Sequence, residues 1–244
     1  MRQWRPWGAA IEQALYGPGG FFRGPEGPGG HFRTSAHASD LFAGALLRLA
    51  REVDAALGHP ARFDLVDVGA GHGELLRAMV RLAPPSLAYR LCLHGVELAG
   101  RPSDLPPAIG WSPALPDGVT GLLVANEWLD DVPFEVVQQA PGGPYVVLVD
   151  PATGEERPGR RPSAADRSWL DTWWPVSGAP AGDRAEVGRL RDAAWASAVG
   201  TLRAGIALAI DYGHLREDRA SGAYAAGTLA GYRRGRAVPP VPDG

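Results

Sequence analysis

The 244-residue chain contains no lysine; all 24 of its cationic side chains are arginine. That absence excludes a P-loop lysine on a nucleotide phosphate and a Schiff-base lysine on a carbonyl. The only cysteine is Cys92, which excludes an internal disulfide and a cysteine-built zinc cluster. The six histidines are not at metal-ligand spacings, and no metal is expected. No apolar run approaches the roughly 18 residues a membrane helix needs, so no membrane partner is expected. The opening Met1 to Trp7 has no apolar signal core, and the compartment expected is cytoplasmic. A net charge of -3 lacks the basic excess of a generic nucleic-acid binder, so no nucleic-acid partner is expected either. The oligomeric state is not legible.

What the chain does have is 33 glycines, 23 prolines and a 45% hydrophobic fraction, enough for a packed core. A short helical pattern covers residues 6–16 through Trp7, Ile11 and Leu15. A glycine-rich stretch, 17–35, follows, punctuated by Phe21, Phe22 and Phe32. Residues 40–57 read as a helix with Leu41, Phe42, Ala45, Leu46, Leu49, Val53 and Leu57 on one stripe, Ser39 as cap and Gly58 as stop. Phe63 to Val68 reads as a buried strand. Glu74 to Leu82 reads as a helix through Leu75, Leu76, Met79, Val80 and Leu82. Further strands are expected over 89–97, 121–125 and 205–211, and a hairpin over 134–150 around Pro141-Gly142-Gly143-Pro144. Residues 151–182 read as irregular and 184–203 as helical. Strands alternating with helices predict an α/β fold with a mostly parallel central sheet and helices on both faces. The organisation expected is an N-terminal helical and glycine-loop extension, 1–60, and a main domain, 61–244, with the hairpin as an insertion.

Between the first strand and its helix stands Asp67-Val68-Gly69-Ala70-Gly71-His72-Gly73. Glycines there let the backbone turn sharply and approach a ligand closely. The dinucleotide fingerprint wants a glycine at position 74, where Glu74 stands and would repel a pyrophosphate. A ligand with an adenosine and a zwitterionic amino-acid tail, such as S-adenosylmethionine, fits better. Asp67 can take its ammonium group. Glu97, at the end of the second strand, can accept both ribose hydroxyls.

The loop resembles that of class I S-adenosylmethionine-dependent methyltransferases, and three further segments resemble the MidA branch. Gly30-His31-Phe32-Arg33-Thr34-Ser35, followed by Phe42, resembles the branch's G-D-F-x-T-S segment, with His31 where the family has Asp. Ala125-Asn126-Glu127-Trp128-Leu129-Asp130-Asp131-Val132-Pro133 resembles its A-N-E-F-F-D-A-L-P. Ile210-Asp211-Tyr212-Gly213, with Gly227-Thr228-Leu229 after it, resembles its I-D-Y-G and following T-L. Order and spacing agree over nearly the whole chain.

The resemblance implies a Rossmann-like methyltransferase fold and S-adenosylmethionine as cofactor. It also implies a shortened C-terminal side of the sheet, since the family continues past Pro239 to Gly244 into further strands. The cofactor-binding residues expected are Asp67, Gly69, Gly71, Gly73, Glu97 and Thr34. Residues 17–35 are expected to fold over the cofactor as a lid. By resemblance the acceptor is a protein arginine, with Glu127 holding the guanidinium fork and Asn126 orienting it. Asp130 reads as a second carboxylate or a helix cap, and Asp211 and Tyr212 as pocket lining or a strand-exit turn. Two other functions stay open: a non-catalytic assembly or scaffold protein that keeps the fold, and a small-molecule methyltransferase.

Overall fold

The computed structural model describes residues 3–23, 40–233 and 236–242. In chain order, β1 (Arg5–Pro6) leads into α1 (Trp7–Tyr16), and a 3-10 turn covers Phe21–Arg23. Next come α2 (Asp40–Ala56), β2 (Phe63–Val68), α3 (Glu74–Leu82), α4 (Pro85–Ala88), β3 (Leu91–Val96), β4 (Gly110–Ser112) and β5 (Val119–Asn126). They are followed by β6 (Glu135–Gln138), β7 (Tyr145–Val149), β8 (Glu156–Pro158), α5 (Ala164–Trp173), β9 (Arg184–Val187), α6 (Arg189–Gly200) and β10 (Leu202–Ile210). The last elements are α7 (Arg216–Ala220), β11 (Gly231–Arg233) and β12 (Arg236–Val238).

Two compact units emerge. One comprises Pro25–Asp130 and Ala194–Asp211; the other comprises Met1–Gly24, Asp131–Ala193 and Tyr212–Gly244. This grouping differs from a division at residue 60, because α1 and α2 are buried against different sheets.

The first unit holds the expected parallel sheet, in the order β10-β5-β2-β3-β4, with every neighbouring pair parallel. Its central strands β2 and β5 read as continuous apolar runs because both of their faces are covered. Phe63, Leu65, Leu122 and Val124 pack on one face with Leu46, Leu47 and Val53 of α2 and Leu75, Leu76 and Met79 of α3. Val66, Val68, Leu123 and Ala125 alternate onto the other face, with Trp195 and Ala198 of α6. The stripe on α2 is rotated from the expected one. Leu41 is 81% exposed, and the buried set is Ala43, Leu46, Leu47, Ala50, Val53 and Asp54. Asp54 is buried because Arg90 forks onto both of its carboxylate oxygens while also donating to the Pro60 carbonyl. On α3, Val80 and Leu82 face outward, in contrast to the expected stripe.

The second unit is antiparallel, in the order β1-β7-β6-β9 with β8 on β7. The expected hairpin exists as β6 and β7, but it forms the middle of this sheet and is not an insertion hung from the parallel one. The reason is the burial of Val136, Val147 and Val149 with Phe134 against Trp7, Ala10 and Ile11 of α1. Strands β8 and β9 lie where irregular chain and helix were expected. A four-residue strand such as Arg184–Val187 has too short an alternation to reveal itself before its partner is known.

Candidate cofactor and acceptor site

Strand β2 ends at Val68 and the chain turns at once. Gly69, Gly71 and Gly73 have φ of +74°, +57° and +80°, the left-handed region that favours glycine. At Gly69 space is also decisive: a Cβ would sit 2.8 Å from Cδ1 of Trp128. The N–H groups of Gly69 and Ala70 both donate to the Val96 carbonyl, at 3.0 and 3.2 Å, which ties the loop to the end of β3.

Glu97, one residue past β3, accepts from Gly71 N–H through Oε2 (3.0 Å) and from Ala99 N–H through Oε1 (3.1 Å). Each carboxylate oxygen keeps a further lone pair for a ligand hydroxyl. Asp67 is 4% exposed. Burial pushes its pKa up to about 7, and the nearby charges of Glu74 and Glu97 push in the same direction. Three acids around a glycine turn thus form a site whose electrostatics call for a positively charged ligand. The sulfonium and ammonium groups of S-adenosylmethionine fit that demand, and its uncharged adenosine suits a loop where Glu74 would oppose a phosphate.

Asn126 ends β5 and Glu127 follows with φ +51°, one of two non-glycine residues in the left-handed region among those described. Such a conformation persists only where the surroundings hold it. Here Glu127 N–H donates to the Ile210 carbonyl at 2.8 Å, and Leu129 N–H donates to Asp211 Oδ2 at 2.8 Å. The Asn-Glu-Trp turn is therefore fastened to the end of β10. Asn126 Nδ2 donates to Glu127 Oε1 at 3.4 Å, while Asn126 Oδ1 is buried with no hydrogen-bond partner among the described residues.

The parallel sheet places Asp67, Gly69, Gly71, Gly73, Glu97, Asn126 and Glu127 at the carboxyl ends of three adjacent strands, β3, β2 and β5. Trp128, whose role sequence reasoning missed, joins the two halves by packing over Gly69. Only a glycine opposite a tryptophan, far apart in sequence, hinted at it. Asp211 anchors the turn. No helix begins directly after Asp130, where the next element is β6, which removes the helix-cap reading. Thr34, His31 and Ser39 lie outside the described residues, as does the proposed lid beyond Arg23. Its described start is pinned by aromatic contacts: Tyr16 stacks on Phe22 (5.4 Å) and Phe21 meets Phe22 edge-on (5.2 Å).

A family model described as "Putative S-adenosyl-L-methionine-dependent methyltransferase" matches residues 46–242. The chain belongs to this MidA-like methyltransferase family. The methyltransferase-family chain is also similar to a superfamily member from Burkholderia thailandensis whose crystal structure holds S-adenosyl-homocysteine. The TM-score is 0.75 at 27% identity, covering 96% of this chain and 65% of that one. An uncharacterized protein of the same superfamily and organism, in its native crystal form, gives a TM-score of 0.72 at 27% identity, covering 96% and 64%. The chain therefore spans somewhat less than two thirds of both relatives. No curated protein matches it. Among the described residues no helix is long and apolar enough to cross a membrane.

Proposed function

We propose that this chain binds S-adenosylmethionine on the Gly69–Gly73 loop and transfers its methyl group to a nitrogen of a protein arginine side chain. The observation that carries the reading is the buried Asp67 carboxyl, raised to about 7 beside two further acids. A cationic ligand relieves that arrangement, and a related structure holds the demethylated form of this cofactor.

The bound cofactor supplies an electrophilic methyl group on a sulfonium; the protein supplies charge, orientation and exclusion of water. Asp67 balances the positive charge of the cofactor. Glu97, held by two backbone N–H groups, accepts the ribose hydroxyls. Glu127 receives the planar guanidinium fork and takes up on Oε the proton that the methylated nitrogen loses. Asn126 offers its open Oδ1 to a remaining guanidinium N–H.

The test has two stages. Calorimetric titration with S-adenosylmethionine and with its demethylated product should show saturable binding. A peptide array carrying arginine and other acceptors should then take up labelled methyl at arginine. Absence of cofactor binding sinks the whole reading, and methylation confined to non-arginine acceptors sinks the arginine assignment alone.

A further inference from the structure

A second cluster of polar groups lies in the antiparallel unit, on residues that methyl transfer does not use. Glu186 of β9 is 2% exposed. Its carboxylate accepts from Thr228 N–H (2.6 Å) and Thr228 Oγ1–H (2.8 Å), and Arg191 approaches it at 3.8 Å. Both of its oxygens are thus engaged inside the fold. Beside it stand His214 and Arg219, both set against the ring of the buried Trp174. The imidazole meets that ring edge-on at 5.1 Å, and the guanidinium lies 5.1 Å from its centroid. The Tyr224 ring meets the His214 ring at 4.4 Å.

His214 Nε2 and Arg219 Nε are both buried with no hydrogen-bond partner among the described residues. Burial pushes the pKa of each group down, Arg219 further depresses His214, and Glu186 acts in the opposite sense on both. The other charges facing the pair are Arg191, Asp192 and Asp218. An orphaned guanidinium Nε–H in an aromatic surround is costly unless an acceptor reaches it. Glu186 does not reach these nitrogens: the hydrogen bonds it accepts come from Thr228, and Arg191 is the cation beside it. The missing partner must bring oxygen acceptors, and a negative charge suits a guanidinium best. A flat carboxylate matches the Nε edge of that fork.

We propose that His214 and Arg219, held against Trp174, form a binding site for a small carboxylate in the antiparallel unit. The proposal does not depend on the methyl-transfer reading.

The experiment uses the full chain, with acetate replacing chloride at constant ionic strength and the His214 ring resonances followed by NMR. His214→Gln assigns those resonances among the six histidines. Acetate should shift them saturably, and Arg219→Gln, checked for folding by circular dichroism, should weaken the apparent affinity at least tenfold. If Arg219→Gln does not fold, Arg219→Lys serves: it keeps the charge, loses the fork, and should bind acetate several-fold more weakly. An unsaturable response in the wild type means that water alone satisfies the two nitrogens and overturns the site. An equal response in the folded Arg219 variant overturns the residue assignment. An equal response to phosphate overturns the choice of carboxylate.

Discussion

Gly71 donates its N–H to Glu97 Oε2 at 3.0 Å, so the turn after β2 and the acid after β3 form one hydrogen-bonded piece. With Ala99 N–H on the other oxygen, the carboxylate is oriented in advance and pays little ordering entropy when a ligand arrives.

Glu97→Ala should therefore weaken S-adenosylmethionine binding sharply. Losing a pair of charge-assisted hydrogen bonds costs roughly 1.5–3 kcal/mol, about tenfold to a hundredfold in dissociation constant. Isothermal titration of the folded variant measures it; an unchanged constant would remove Glu97 from the ribose.

Gly69→Ala should destabilise the fold. A left-handed conformation costs a non-glycine residue about 1–2 kcal/mol, and the added Cβ also meets Trp128. The urea midpoint should drop accordingly. A midpoint equal to that of the wild type would mean that Trp128 moves aside at no cost.

Asp67 makes a pH-dependent prediction whose sign follows from linkage. Its pKa is about 7 in the folded chain against an ordinary value of 3.8, so between those values the folded state holds a proton that the unfolded state has released. Its contribution to stability is therefore complete below about pH 4 and is lost as pH rises through about 7. Asp67→Asn lacks this titration. The difference in unfolding free energy, wild type minus variant, should fall between pH 4 and pH 7 and level off above. A flat difference would show that the carboxyl is already ionised in the folded state.

Glu127→Gln keeps the shape of the side chain and removes its charge. Turnover on an arginine acceptor should fall at least tenfold, equivalent to at least ~1.4 kcal/mol at the transition state. Cofactor affinity should stay within about twofold, since Asp67 and Glu97 hold the cofactor in this scheme. Equal turnover would remove Glu127 from guanidinium positioning, and a parallel loss of cofactor binding would place it at the cofactor instead.

The strand–loop–helix of β2, Gly69–Gly73 and α3 was legible because its signals are local: an apolar run, three closely spaced glycines, then helical periodicity over 74–82. The family-like Asn126-Glu127 turn was legible as well, though not its left-handed Glu127, which depends on a hydrogen bond to Ile210 far along the chain. The antiparallel sheet was only half visible. Its hairpin has a local turn signal, whereas β1, β8 and β9 are two to four residues long and are defined by partners distant in sequence.

The amino-acid sequence by itself determined which chemistries were unavailable, where the glycine turn falls and which acids flank it, because those depend on residue identity and short-range spacing. Tertiary structure alone decided that Asp67 is buried beside Glu74 and Glu97, that Trp128 closes over Gly69, and that Glu186 turns to Thr228 and Arg191 while the buried Arg219 Nε meets no acceptor. Each of these rests on desolvation or contact between segments remote in the chain, and neither quantity exists until the strands have paired.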